Sequence, residues 1–255
     1  MIRELSLEIA ELSSMSKVPD RLFYLGNKEL LQKPKVSIVG TRRPSSYTKD
    51  WTYKLAKELA KRGVVVVSGA AMGVDAIAHM GAKAENTVAV VANGLDIRYP
   101  AVNKNLISDI EQRGLVISFF EPGFRATKWS FVKRNELVVA LGEVLIVTEA
   151  DLNSGSLRSV EYALKMGKEI YVLPHRLNES LGTNDLLKDG KAEAIYSIEE
   201  FANRFGKIED KKDEFTLFLE KSPTLNEALV KFGDKIYEAE LEGLIAIENG
   251  YVKLL

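Results

Sequence analysis

The sequence predicts a doubly wound α/β fold with a mainly parallel sheet, followed by a small separate C-terminal unit. Three observations carry this. Short runs of Val, Ile and Leu recur at Val36–Val39, Val64–Val67, Val88–Ala92, Leu115–Phe119, Val144–Val147 and Ile170–Leu173. They show little polar alternation, as strands buried on both faces do, and segments of helical period separate them. After Lys207 a charged run intervenes, and the remaining chain is too short for another strand–helix unit.

The elements follow in order. Trp51, Leu55 and Leu59 stand four apart, and Gly63 after Lys61-Arg62 predicts a helix stop. Leu106, Ile107 and Ile110 mark a second helix ended by Gly114. Leu157, Val160, Tyr162, Ala163 and Leu164 mark a third ended by Gly167. The predicted division is a segment 1–33 packing on the core, an α/β domain 34–206, a solvated linker 207–213 and a small unit 214–255. Residues 1–206 carry 28 basic and 25 acidic side chains, a balance of +3; residues 207–255 carry 7 and 11, a balance of −4.

Composition narrows the chemistry. The 255 residues hold 35 Lys+Arg against 36 Asp+Glu and are 46% apolar, enough to bury a sizeable core. With no cysteine there is no disulfide framework, thiolate metal site or cysteine nucleophile, and two histidines argue against structural zinc. Acidic residues interrupt the N-terminal apolar positions, so the segment does not read as a secretory signal. No apolar run reaches the ~18 residues of a membrane span. The expectation is a cytoplasmic protein with no membrane contact, metal or cofactor.

In an open α/β sheet, ligands bind beyond the carboxyl ends of the strands. Five loops follow apolar runs, and all should meet on one rim. Gly40-Thr41-Arg42-Arg43-Pro44-Ser45 lacks the GxGxxG pattern, yet its two guanidiniums before a helix start suit an anion; the alternative is a solvated loop. Ser68-Gly69-Ala70-Ala71-Met72-Gly73 offers small residues for close backbone approach, or a tight packing turn. Asn93-Gly94-Leu95-Asp96, with Tyr99-Pro100, is a third strand-terminal turn. From Gly123 to Asn135, Arg125, Lys128, Lys133 and Arg134 interleave with Phe124, Trp129 and Phe131. Cations for phosphates and aromatic faces for bases suit single-stranded nucleic acid; the alternative places these rings in the core. Ser154-Gly155-Ser156 reads as a phosphate seat or an ordinary helix cap.

Nucleophilic catalysis finds no support. Ser68, Asp75 and His79 lack the GxSxG elbow, and the last two stand four apart on one expected helix, where His79 reads as a surface residue. No HExxH, Walker A or EF-hand pattern occurs.

From about Pro34 to about Phe205 the motifs, taken together, resemble those of the DNA-processing protein A (DprA, or Smf) family. They are Gly40-Thr41-Arg42, Ser68-Gly69 with Ala71 and Gly73-Val74-Asp75, Ala78-His79 with Gly81-Ala82, Gly94-Leu95-Asp96 with Tyr99-Pro100, Phe131 with Arg134-Asn135, Ser154-Gly155-Ser156 and Gly182-Thr183-Asn184. Leu241-Glu242-Gly243-Leu244-Ile245 and Gly250-Tyr251 resemble the winged-helix-like domain that often ends these proteins. The resemblance implies an extended Rossmann-like domain that binds and protects single-stranded DNA without catalysis. It also implies loading of the RecA recombinase in natural transformation, and homodimers. It assigns the DNA pocket to Arg42, Arg43, Ser68, Gly69, Lys128, Phe131, Lys133, Arg134 and Asn135; the strand-end argument adds Ser154, Gly155 and Ser156.

The expected mechanism has Arg43, Lys133 and Arg134 neutralising phosphates. Amides of Ser68-Gly69 and Ser154–Ser156 donate to them, and bases stack on Phe131 or Trp129. Two positions depart from the family pattern: Met72 replaces an Arg, and Glu136 places an anion after Asn135. The segment ahead of Pro34 leaves no room for the helical domain that some relatives carry there. The acidic tail reads as a protein-contact or self-association module, or as a passive cap. The rival reading is a phosphoribohydrolase-like enzyme, since Gly155 and Glu161 echo part of that signature.

Overall fold

The computed structural model describes residues 1–5, 9–208 and 214–254. The chain divides into two compact units, Met1–Ile208 and Glu209–Leu255. Residues 209–213 of the expected linker lie outside the described residues.

In the first unit, β1 (Arg3–Glu4), β2 (Phe23–Gly26), β3 (Lys35–Val39), β4 (Val65–Ser68), β5 (Thr87–Val90), β6 (Leu115–Ser118), β7 (Leu145–Val147), β8 (Ile170–Val172) and β9 (Glu193–Ala194) form one sheet. Its order is β1-β2-β6-β5-β4-β3-β7-β8-β9. From β3 to β9 neighbouring strands are parallel, while β1 and β2 are antiparallel. Each expected apolar run is a strand, within a residue or two at its ends. The segment 1–33 does more than pack on the core. Phe23 pairs with Ser118 and Gly26 with Leu115, so β2 extends the sheet.

Helices α1 (Ser46–Lys61), α2 (Val74–Ala82), α3 (Lys104–Arg113), α4 (Lys128–Leu141), α5 (Leu157–Lys165), α6 (Leu181–Lys188) and α7 (Ile198–Asn203) cover both faces. Strand pleat decides which side each residue serves. Val36, Ile38, Val66 and Ile146 pack with Leu55 and Leu59 of α1 and Val74 of α2. Val65, Val67, Leu145 and Val147 pack with Leu137 and Leu141 of α4 and Val160 of α5. Burying each such side chain contributes about 1.5–3 kcal/mol, which makes the strand ends a rigid platform.

His79 corrects a reading made from the sequence. It lies in α2, yet its ring is fully buried between that helix and β5. Thr87 gives its single hydroxyl proton to the Val66 carbonyl (2.8 Å), so Nδ1–H of His79 donates to Thr87 Oγ1 (2.5 Å). Burial, reinforced by the Arg134 cation, pushes the ring down to about 3. The unfolded chain protonates the ring near 6.5, so this contribution is whole above 6.5 and is lost as pH falls toward 3. Stability should drop by up to about 1.4 kcal/mol per pH unit there. Urea melts of the wild type and His79→Gln between pH 7 and 4 check this: the variant should lose that slope, and parallel slopes would refute it.

The second unit holds α8 (Glu214–Leu219), α9 (Leu225–Phe232), α10 (Lys235–Leu241) and an antiparallel hairpin of β10 (Ile245–Glu248) and β11 (Tyr251–Leu254). Phe215, Leu219, Ala228, Ile236, Ile245 and Val252 make its core. A capping box starts α9: Thr224 Oγ1 accepts from the Glu227 amide (3.3 Å), and Glu227 accepts from the Thr224 amide (2.9 Å). Thr224 also bridges to Tyr251.

Candidate functional site

Strand order reverses at β3, which is flanked by β4 and β7. That topological switch point opens a crevice between the loop after β3 and the loop after β7. Its cavity, about 440 Å³, is lined by Gly40–Arg42, Ala71, Lys128, Phe131, Asn135 and Ser154–Ser156, among others. Local sequence sets each wall. Ser45 caps α1 by accepting from the Thr48 amide, which ends the arginine loop on a fixed helix. Thr127 and Ser130 form a capping box that starts α4 at Lys128. From there Lys128, Phe131 and Asn135 fall on one helix face by i, i+3, i+7 spacing.

Arg42 joins three neighbouring cavities. It lines the crevice, a slot with Met72, Asn93, Tyr99 and Phe131, and a basin beside α1 and α2. Its guanidinium lies 5.4 Å over the Phe131 ring, and Tyr99 sits 6.1 Å from that ring. Arg42 and Lys128 pair with no carboxylate among the described residues. Ser154 and Ser156 exchange a 2.7 Å hydroxyl hydrogen bond on the opposite wall.

Several predicted residues serve otherwise. Arg134 lines the crevice but is almost wholly buried: its guanidinium lies behind Gly69, 3.6 Å from Asp75, and donates to the Val90 carbonyl. A Cβ on Gly69 would fall on that guanidinium, so only glycine fits. Asp75 also accepts from the Ala71 amide (3.4 Å) and draws on the Gly69 amide. Burial pushes its carboxyl up, while Arg134 and the amides pull it down. The Gly69 amide is thus turned inward. Ser68 is buried with its hydroxyl on the Ile38 carbonyl (2.6 Å). Lys133 points to the other side of α4, over Phe119 (5.3 Å) and Trp129 (5.6 Å), because it stands two residues from Phe131 on a helix. Trp129 stays with it, packed on Phe120 and Phe124. Arg43 lines the basin instead of the crevice. The amides of Ser154 and Ser156 are bonded within their turn, leaving the hydroxyls to face the crevice.

Glu136 puts no anion in the crevice. Its carboxylate accepts from the Ser16 amide and hydroxyl, both at 2.7 Å, tying the N-terminal segment to α4. Glu161 pairs with Arg158 at the surface (2.8 Å) and does not line the crevice. Sequence reasoning missed Asn103, whose amide bonds the Ala70 and Ala71 carbonyls at 3.0 Å and braces the glycine-rich turn. It also missed Arg158 and Ser159 on the crevice wall, though they directly follow the serine-glycine-serine turn. A larger cavity, about 800 Å³, opens at the amino end of β3, opposite the switch point, where Glu11 pairs with Lys35 (2.6 Å).

Residues 9–206 match the family model described as DNA recombination-mediator protein A. The DNA processing protein DprA of Streptococcus pneumoniae is 37% identical over 184 residues, 71% of this chain and 65% of that protein. The protein Smf of Synechocystis is 34% identical over 198 residues, 74% of this chain and 50% of that protein. The chain thus spans half to two thirds of the length of these relatives. Two solved structures superpose well. One is DNA processing protein A of Helicobacter pylori, studied for its single-stranded DNA binding mode: TM-score 0.78, 44% identity, 80% of this chain and 95% of that one. The other is the Streptococcus pneumoniae protein: TM-score 0.75, 34% identity, 81% and 75%.

Proposed function

The chain belongs to the DNA recombination-mediator protein A family, and from that premise we propose that it binds single-stranded DNA in the switch-point crevice without chemically altering it. The observation that carries this is the gathering of Arg42 and Lys128, which have no carboxylate partner among the described residues, with the Phe131 ring that Arg42 overlies, in the crevice between the loops that end β3 and β7. Phosphates draw Arg42 off the ring, and a base takes its place beside Phe131, Tyr99 and Met72. Stacking of this kind is worth about 1–3 kcal/mol per base and tolerates any sequence. The crevice's carboxylate, Asp75, is held by Arg134, which supports binding over acid–base chemistry. By the same family argument the bound strand is DNA entering by transformation, protected and then handed to a RecA recombinase in the cytoplasm. A homodimer would place two crevices on one strand and raise avidity.

Titrating labelled oligo-dT and duplex at several salt concentrations tests the reading. Single strands should bind more tightly than duplex, with a log–log salt slope near about −0.7 per neutralised phosphate. Arg42→Gln and Lys128→Gln should each weaken binding about tenfold and shallow the slope by about 0.7. Equal affinity for duplex, or no loss in either variant, would refute it.

A further inference from the structure

Beside the crevice, on the α1–α2 side, lies a second concavity of about 520 Å³ lined by Arg42, Arg43, Pro44, Lys49, Gly73, Ala76, Ile77 and Met80. Its chemistry is uneven in a specific way. The floor is apolar: Ala76, Ile77 and Met80, the last about half exposed. The rim holds three exposed cations, Arg42, Arg43 and Lys49, and none pairs with a carboxylate among the described residues. Two other lysines of α1 are neutralised: Lys54 pairs with Asp50 and Lys61 with Glu58. Glu149, which lines neither cavity, accepts from the Ser45 amide and hydroxyl at 3.0 Å.

Backbone geometry fixes the rim. Gly73 enters α2 at φ +80°, and a Cβ there would strike the Thr41 and Arg42 backbone. The arginine loop therefore lies directly on the start of α2, with the Val74 amide donating to the Thr41 carbonyl (3.1 Å). That contact turns Arg42 toward both cavities and Arg43 toward the basin.

We infer that the basin is a second phosphate site, in which Arg43 and Lys49 hold the backbone of nucleotides that leave the crevice past Arg42. The inference rests on the single-stranded DNA reading of the crevice and extends it. A polyanion bound at the crevice meets further unneutralised cations in this direction, while the apolar floor accepts sugar and base edges. Lys49 thereby joins the DNA-contacting residues, and the footprint is longer than the crevice alone.

Length dependence separates the two cavities. Wild type, Lys49→Gln and Lys128→Gln would be titrated with oligo-dT of increasing length at several salt concentrations. Lys49→Gln should leave the shortest binding oligonucleotides unaffected, weaken longer ones three- to tenfold, and shallow the salt slope by about 0.7 only for those. Lys128→Gln should weaken every length. Equal loss at all lengths, or none at any, in Lys49→Gln would overturn the inference while leaving the crevice intact. Failure of Lys128→Gln to weaken binding would instead remove the crevice reading. Inorganic phosphate at millimolar concentration should compete no better than its ionic strength predicts; strong competition lost in Lys49→Gln would make the basin a free-anion site and overturn its role in the strand's path.

Discussion

Gly69→Ala is expected to disable both the site and the fold around it. The new methyl group would occupy the space of the Arg134 guanidinium, which sits behind Gly69 beside Asp75, the Val90 carbonyl and the Phe131 ring, and would break those contacts. Overpacking a core costs about 1–3 kcal/mol, and displacing one partner of a buried ion pair adds to it. A loss of about 3 kcal/mol lowers the melting temperature of a unit this size by roughly 6–12 °C. Oligo-dT affinity should fall at least tenfold, because the turn that carries Ala71 and Met72 must move. Gly155→Ala is the control: its Cβ meets no atom within 4 Å, so melting should be unchanged. A Gly69→Ala protein that melts and binds as the wild type does would show that Arg134 has another seat.

Arg134→Met should be costlier still, and partly reversible by a second change. The substitution leaves the Asp75 carboxylate buried without its cation, at a cost of about 3–5 kcal/mol. Burial already raises the Asp75 carboxyl. Without Arg134 it rises further, and protonation on acidification relieves the charge. The deficit relative to wild type should therefore shrink as pH falls through the raised value and be largest at neutral pH. Adding Asp75→Asn should recover most of the loss, a non-additivity that chemical denaturation at constant m reads directly. The salt slope of oligo-dT binding in the double variant should match the wild type, since Asp75 holds the Arg134 guanidinium. A slope shallower by about 0.7 would return Arg134 to the DNA-contacting set.

The contrast between Arg42 and Arg134 shows what a sequence can convey. Both stand in strand-terminal segments rich in basic residues, and local pattern treats them alike. Arg134 is buried because the packing of α4 on the sheet places this position behind Gly69, a relation between residues 65 apart in the chain. Lys133 and Glu136 turn outward or backward for the same reason: a helix rotates each position by a fixed angle, and one wall of the crevice fixes the phase. His79 was unreadable because its partner Thr87 is in β5, and only the packing of α2 on the sheet brings them together.

The chain's own pattern determined the parallel strands, the helices between them, the loops that gather at their carboxyl ends and the family whose motifs it carries. Those are properties of residues near one another in sequence, where hydrophobic period and turn chemistry act. Tertiary structure alone decided which cations face solvent and which brace the turn, that β1 and β2 extend the sheet, and that Arg42 stands where three cavities meet. Those depend on which distant side chain fills each space, and close packing of the interior admits only one arrangement.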